Sequence, residues 1–145
     1  MTEEKYTEEG MQEALAKMEQ MRGDMSSLME QEKMLQNMME DISAAEDTLE
    51  RMKGVSEAED ILVPIGGSIY LKAKTIPGEA VLTDVGSGIH MEKGQEDASD
   101  IIEERKRDIE EGLEEVTKAA KELESNYRDI ALYAQNAYQT LQGQG

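Results

Sequence analysis

The fold of this chain is decided by residues 60–94, which read DILVPIGGSIYLKAKTIPGEAVLTDVGSGIHMEKG. Apolar or β-branched residues recur in it with period two. Turn-forming residues interrupt the pattern at three places, Gly66-Gly67, Pro77-Gly78 and Gly86-Ser87-Gly88. Alternating runs bounded by glycine turns are typical of β-hairpins. The stretch therefore predicts two hairpins in tandem, residues 61–74 and 80–93, joined by residues 75–79.

Pro64 stands inside the first of these runs. Proline has no N–H to donate to a neighbouring strand, so it is confined to edge strands and irregular points of a sheet. We therefore expect Pro64 at an edge or at an irregularity of its strand.

The segments on either side carry apolar residues at heptad spacing. In the N-terminal segment the series is Met21, Leu28, Leu35, Ile42 and Leu49. In the C-terminal segment it is Ile102, Ile109, Val116, Leu123, Ile130 and Ala137. Charged residues interrupt the accompanying series at Glu32, Glu46 and Lys106. A heptad pattern held over this length predicts coiled-coil helices.

Capping residues set the expected ends of the two helices. Thr7 can cap the first helix and Gly54 can end it, which predicts residues 7–54. Asp97 can cap the second, which predicts residues 97–142. At 1.5 Å per residue each arm is about 70 Å long. Equal arms joined by a compact insert favour antiparallel pairing within the chain, although each arm could instead pair with another chain.

The composition limits the classes of function. The 145 residues are enough for one domain, and Lys+Arg number 15 against 33 Asp+Glu, a formal net charge of -18. Such a chain repels nucleic acid and anionic membranes, because both bind proteins through Lys and Arg. No cysteine is present, and no apolar run approaches the length of a membrane span. We expect a single cytoplasmic domain, residues 1–145.

No catalytic, cofactor-binding or metal-binding constellation is expected from this sequence. Adjacent carboxylates such as Glu110-Glu111 fall on predicted helices, where a solvated face explains them. His90 is the single histidine and has no cysteine to share a metal with. The glycine turns lack the Gly-Lys-Ser/Thr sequence of a phosphate-binding loop. We therefore predict that the protein is not an enzyme.

Two short hairpins make a weak independent unit. An isolated hairpin is only marginally stable in water, and its strand edges expose unpaired N–H and C=O groups. We therefore expect several subunits to combine their strands in a shared barrel or sheet. The alternative is a monomer whose strands fold back on the base of the helices.

At this point a family resemblance can be stated. The order long helix, two β-hairpins, long helix, with VPIGGSIYLKA and VGSGIHMEK in the central strands, resembles the α-class subunit of archaeal prefoldin. The resemblance covers nearly the whole chain. Two hairpins indicate the α class, since the β-class subunit has one. The Met-rich N-terminal arm and the strong acidity are departures from the family pattern.

The resemblance implies an α+β fold in which an antiparallel two-helix coiled coil carries hairpins that assemble into an oligomeric β-barrel. It implies a hexamer of two α-class and four β-class subunits that binds non-native polypeptides at the coil tips without ATP and delivers them to a group II chaperonin. The assembly residues would be Val63, Pro64, Ile65, Ile69, Leu71, Val81, Leu82, Val85 and Ile89.

Methionine and tyrosine concentrate where the resemblance places the client site. Nine of the 11 Met lie between Met11 and Met52. Met is flexible, and Tyr combines a large contact area with a polar edge, so both suit adaptable surfaces. The expected client-binding residues are Met11, Met18, Met21, Met25, Tyr127, Tyr133, Tyr138 and Leu141. Seam packing is the favoured interpretation of Met18, Met21, Met25 and Tyr127. Met29, Met34, Tyr133 and Tyr138 fall off the strict heptad series and are better candidates for an open surface.

Other functions remain compatible with a coiled coil. A structural adaptor would bind one dedicated folded partner and would not protect unrelated clients. An acidic finger that enters a polymerase would carry its acidic residues on a short turn between two helices. Here two hairpins occupy that junction, which argues against the finger.

Overall fold

The computed structural model describes residues 5–78 and 80–143. Helix α1 (Glu8–Met52) is followed by strands β1 (Asp60–Gly66), β2 (Ile69–Lys74), β3 (Val81–Asp84) and β4 (His90–Lys93), and then by helix α2 (Gln95–Gly143). β1 pairs with β2 and β3 with β4, each antiparallel. The predicted class of two long helices flanking two hairpins is therefore confirmed. The predicted link 75–79 ends on Glu79, which lies outside the described residues.

Helix α1 begins as its capping residue predicts. The Gly10 N–H donates to Thr7 Oγ1 at 2.9 Å, and the Met11 N–H donates to the Thr7 carbonyl at 2.9 Å. The Thr7 hydroxyl thus satisfies one of the N–H groups that the first turn of a helix leaves without a partner, and its carbonyl accepts the first hydrogen bond of the helix. Glu8 and Glu9 occupy that turn, where the helix dipole favours negative charge.

The inner ends of the helices differ in how well the sequence predicts them. Gly54 follows the last turn of α1 with φ +77°, the left-handed conformation expected of a residue that ends a helix. Helix α2 begins at Gln95, and not at the predicted residue 97. The Gly94 carbonyl accepts the Ala98 N–H at 3.0 Å and closes the first turn. The prediction that Asp97 caps α2 is therefore wrong, because Asp97 already lies in that turn.

The chain divides into two compact units, each containing parts of both helices. The first, here called the helical unit, takes in the chain up to Asn37 and from Ile109 onwards. The second, the hairpin unit, is Met38–Asp108 and contains all four strands.

In the helical unit α1 and α2 run antiparallel. Tyr133 reaches Gly10, Tyr127 bonds to Arg22, and Gly112 faces Leu35. Residue numbers therefore rise along α1 in the direction in which they fall along α2. This confirms the predicted antiparallel pairing within the chain. The buried residues of this seam are small or β-branched: Ala14, Ile109, Val116, Ala134 and Ala137.

In the hairpin unit the two charged interruptions of the heptad pattern meet. Lys106 Nζ lies 3.1 Å from Glu46 Oε2, and both side chains are partly exposed. A polar pair at seam positions fixes register, because shifting one helix would leave each charge facing apolar side chains. Glu46 and Lys106 are therefore matched partners and not separate defects of the pattern.

The first hairpin closes through a two-residue turn, Gly67-Ser68, between paired Gly66 and Ile69. Both turn residues have positive φ, 57° and 62°, as a type I′ turn requires. The register shifts between Pro64 and Gly66. This confirms the expectation that Pro64 lies at an irregular point.

The second hairpin is shorter and is tied to its own helix. The Gly86 N–H donates to Asp84 Oδ1 at 2.9 Å, and the Ile89 N–H donates to the Gly86 carbonyl at 3.0 Å. Arg105 on α2 donates to the Asp84 carbonyl at the end of β3. The loop geometry is thus fixed by one carboxylate and one guanidinium.

Ser68 is the position at which the first turn can be improved. A non-glycine residue in the left-handed region costs about 1 kcal/mol, so Ser68→Gly should raise the free energy of unfolding by about 0.5 kcal/mol once the added freedom of the unfolded chain is allowed for. Urea unfolding followed by circular dichroism measures the change. Ser56→Gly, outside any positive-φ turn, is the control and should be neutral or destabilising. Equal effects of both changes would contradict the turn assignment.

Candidate functional site

Most apolar side chains of the hairpins are left exposed by the described part of the chain. Of the nine predicted assembly residues, eight are exposed and Val81 is half-buried. Leu62 and Leu82 are more than 60% exposed, at 63% and 69%. Isolated exposed apolar residues are ordinary on proteins, but a contiguous set of this kind marks an interaction surface.

Part of this surface was not predicted from the sequence. Further exposed apolar residues are Ile61, Leu62, Tyr70, Ile76 and Met91. The alternation of apolar residues with period two predicted a single apolar face for each strand. The uninterrupted run Ile61–Val63 was the available signal, because continuous apolar runs are typical of strands covered on both faces. We call the predicted and the missed residues together the hairpin surface.

The strand edges are open as well. Each sheet among the described residues has two strands, so every strand has one edge without a partner strand. Unpaired strand edges offer N–H and C=O groups to another chain. The hairpin surface can therefore extend a sheet and bury apolar side chains at the same time.

Where α1 begins and α2 ends, an aromatic cluster ties the chain together. The rings of Tyr6 and Tyr133 lie with centroids 5.2 Å apart, tilted by 52°. Tyr133 passes over Gly10, where an added Cβ would lie 2.5 Å from the Tyr133 hydroxyl oxygen. The hydroxyl donates a long hydrogen bond, 3.5 Å, to the Lys5 carbonyl.

This cluster corrects one expectation about the client site. Tyr133 was expected on an open surface because it falls off the strict heptad series, and the structure has it half-buried by packing against Tyr6 and Gly10. The expectation fails because Gly10 has no side chain to occupy the space. Only the pairing of the two helices brings that space next to Tyr133.

The methionines divide as the heptad pattern indicates. Met11, Met18, Met21 and Met25 are half-buried along the seam, as are Tyr127 and Leu141. Off the series, Met29 and Met34 are exposed. Their expected position on an open surface is thus confirmed.

Tyr127 is held by a cation from the opposite helix. Arg22 donates to the Tyr127 hydroxyl from Nε at 3.2 Å and from Nη2 at 3.1 Å. This hydrogen bond, followed by the charge interactions with Tyr127 and Glu19, raises the pKa of Arg22. The guanidinium is therefore engaged within the chain.

Three large side chains near this end of the helical unit are open to solvent. Leu15 is 52% exposed, Leu132 58% and Tyr138 54%. We call these three residues the helix-end surface. Of the three, only Tyr138 was expected from the sequence. The signal for Leu15 and Leu132 was their position off the heptad series, where an apolar side chain cannot enter the seam.

The three residues of the helix-end surface lie close to the Gly10–Tyr133 contact along the helix axes. Leu15 is five residues from Gly10, and Leu132 and Tyr138 are one and five residues from Tyr133. At 1.5 Å per residue all three lie within about 8 Å of that contact along the helix axes. Exposed apolar side chains are thus held on backbone that the aromatic cluster orders.

The described part of the chain offers little for other chemistry. Across residues 5–78 and 80–143, no three His, Asp or Glu side chains come together as a metal site would require. Neither described helix has a stretch apolar enough to cross a membrane. His90 is exposed on β4 opposite Asp84.

The fold and these surfaces define a class of protein, a coiled-coil subunit whose β-hairpins remain to be covered by other chains. The family model described as "Prefoldin subunit" matches residues 21–140. This chain belongs to the prefoldin family. Prefoldins are chaperones without enzymatic activity, so the chain is a chaperone subunit.

Individual relatives agree with this assignment. Prefoldin subunit alpha of Pyrococcus horikoshii is 30% identical over 100 residues, which cover 68% of this chain and 68% of that protein. Prefoldin subunit alpha of Methanococcus aeolicus is 27% identical over 95 residues, 66% of this chain and 61% of that protein. The resemblance to the archaeal α-class subunit is confirmed.

A solved structure shares the fold. A chain of the filamentous PFD from Methanocaldococcus jannaschii, determined by cryo-EM, superimposes with a TM-score of 0.57 at 21% identity. The match covers 87% of this chain and 98% of that one. The order of helices and hairpins is therefore that of a solved prefoldin chain.

The two tyrosines near the end of α2 should differ in their effect on stability. Tyr133→Ala removes a half-buried ring and its contact with the Tyr6 ring, so we expect a loss of about 1–2 kcal/mol in the free energy of unfolding. Tyr138→Ala, the matched control, should change it by less than about 0.5 kcal/mol. Urea unfolding measures both. Equal losses would contradict the structural role given to Tyr133.

Proposed function

We propose that this chain is a subunit of an ATP-independent holdase that binds non-native polypeptides at the end of the helical unit. The observation that carries the proposal is the helix-end surface, three large apolar side chains more than half exposed on ordered helices. Non-native polypeptides expose apolar side chains that aggregate in water. Contacts of this kind bury apolar area on both partners and form reversibly, so capture and release need no nucleotide.

The predicted client residues take different parts in this proposal. Tyr138 contacts clients directly, together with Leu15 and Leu132. The half-buried residues contribute the parts of their side chains that remain exposed: Met11, Met18, Met21, Met25, Tyr127 and Leu141. Methionine adapts its shape to different partners. Tyr133 orders the backbone on which the others are presented.

The hairpin surface is proposed as the assembly interface. In this proposal the predicted assembly residues pair with β-class subunits in a barrel, giving two α-class and four β-class subunits with the whole chain acting as one domain. Covering Ile, Leu and Val side chains stabilises the assembly by about 1.5–3 kcal/mol for each one fully buried. The additional exposed residues Ile61, Leu62, Tyr70 and Met91 extend the same interface.

The solved relative suggests a second form of assembly. The Methanocaldococcus jannaschii structure is that of a filament, and open strand edges can propagate as well as close. Native mass spectrometry of this chain with and without a β-class subunit separates the two forms. A closed hexamer gives a single mass, whereas a filament gives a series of masses that differ by one repeating unit.

Delivery to a group II chaperonin in the cytoplasm completes the proposal. It follows from the family resemblance, and the exposed helix-end surface supports it only indirectly. A client held through side chains at a helix end leaves much of its own surface accessible. Transfer to a second chaperone then needs no prior release.

The client site can be tested on the assembled complex. Leu15→Gln, Leu132→Gln and Tyr138→Gln together remove the helix-end surface while keeping good helix formers. We expect the concentration needed to suppress half of the aggregation of a chemically unfolded protein to rise about threefold or more. Light scattering measures aggregation, and native mass spectrometry checks that assembly is unchanged.

The matched control changes three exposed polar positions on the same helices, Gln12→Asn, Gln135→Asn and Gln139→Asn. It removes no apolar area and should leave protection unchanged. Full protection by the Leu15, Leu132 and Tyr138 variant would place the client site elsewhere. If the unmodified complex protects no unrelated client and binds one folded protein selectively, the structural adaptor is the correct function.

A further inference from the structure

Most of the cations around the helix-end surface already have partners within the chain. Residues 5–25 and 122–143 contain four cations and eight carboxylates. Arg22 binds Tyr127 and Glu19, and Arg128 Nη2 binds Glu124 Oε1 at 2.6 Å. Lys5 Nζ lies 5.6 Å from the centroid of the Tyr6 ring. Three of the four cations are therefore already engaged with groups of the same chain.

The carboxylates in the first turns of α1, in contrast, have no ion-pair partner in the described part of the chain. Glu8, Glu9 and Glu13 are exposed, and none of them forms an ion pair with another side chain of the described ranges. Glu8 and Glu9 directly precede Gly10, over which Tyr133 lies. Three carboxylates without an ion pair in the described ranges thus lie in the first two turns of α1, close to Leu15 along the chain.

The last part of α2 has no charge at all. Residues 130–143 read IALYAQNAYQTLQG and include Leu132 and Tyr138. Tyr138 has no charged residue within eight positions on α2, so covering it under a client avoids the main cost of covering a polar surface. One helix therefore offers apolar contact at little desolvation cost, and the other offers carboxylates beside it.

We propose that the helix-end surface selects non-native segments that are both apolar and net basic. The inference rests on the proposed holdase function and adds the chemical class of client. Apolar side chains of the client cover Leu132 and Tyr138, while its Lys and Arg side chains pair with Glu8, Glu9 and Glu13. The net charge of -18 adds a longer-range attraction that raises the rate of encounter.

The test uses the complete complex and two fluorescent peptides without stable structure. The peptides have the same length and the same apolar residues, and one carries lysine wherever the other carries glutamate. Anisotropy titrations should give about tenfold tighter binding of the basic peptide at low ionic strength. The difference should shrink severalfold towards 1 M salt, where the Debye length falls to about 3 Å.

The variant Glu8→Gln, Glu9→Gln and Glu13→Gln locates the effect. It should weaken binding of the basic peptide about fivefold, because exposed ion pairs contribute modestly each, and should not weaken binding of the acidic peptide. The control Glu110→Gln, Glu111→Gln and Glu114→Gln makes the same charge change elsewhere in the helical unit and should have little effect. Glu13→Gln alone, one turn inside α1, keeps the test valid if the triple change frays the helix.

The outcomes separate this inference from the holdase itself. Equal affinity for both peptides, with aggregation still suppressed, overturns the basic preference and leaves the holdase function standing. Equal losses from both triple variants also overturn it, because net charge and not this site would then decide binding. If the complex binds neither peptide and suppresses no aggregation, the proposed function fails together with the inference.

Discussion

The whole arrangement follows from a shortage of cover: the described part of the chain leaves most apolar side chains of its four strands exposed. Each sheet formed by the described residues has two strands. Leu62 and Val63, which point to opposite faces of the first hairpin, are both exposed. Full burial of such a residue is worth about 1.5–3 kcal/mol. A large part of the stability available to the hairpins therefore lies in contacts with other chains, which gives a physical reason for a prefoldin subunit to act in an assembly.

The two helices bury apolar side chains within the chain, but a pair of helices can cover only the narrow seam between them. Small residues allow close approach there, and Ala137 has 0% exposure. The seam is closed at one end by Tyr133 on Gly10 and is fixed in register within the hairpin unit by Glu46 and Lys106. Because those contacts order the backbone, the leucines and tyrosine that remain outside the seam are presented in fixed places and cannot collapse onto the chain.

Much of the fold was predictable from the sequence, because single residues determine where the helices end and where the first strand is irregular. Thr7, Gly54 and Pro64 each act through their own backbone or side chain, and the structure places them as expected. Heptad spacing likewise predicted both helices, and the equal lengths of the two arms around a compact insert favoured their antiparallel pairing. The start of α2 was missed because the Gly94 carbonyl closes its first turn, and a backbone carbonyl leaves no mark in the sequence.

The features that the sequence did not predict depend on neighbours remote in the chain. Tyr133 is covered because Gly10, more than a hundred residues away, leaves space for it. Leu132 is open because no element of the described chain packs on its side of α2. On β1, both faces are available to partners, a property of the assembly and not of the strand's own period.

The need for partner strands can be measured by hydrogen exchange at the backbone amides of β1–β4, on the chain alone and after mixing with a β-class subunit. If other chains complete the hairpins, these amides should exchange rapidly in the isolated chain and at least about tenfold more slowly in the mixture. Amides at the centre of the helical unit should change much less. Equal and strong protection of the strands in both samples would mean that the chain completes its own fold, and the account of a subunit built around an uncovered apolar surface would be wrong.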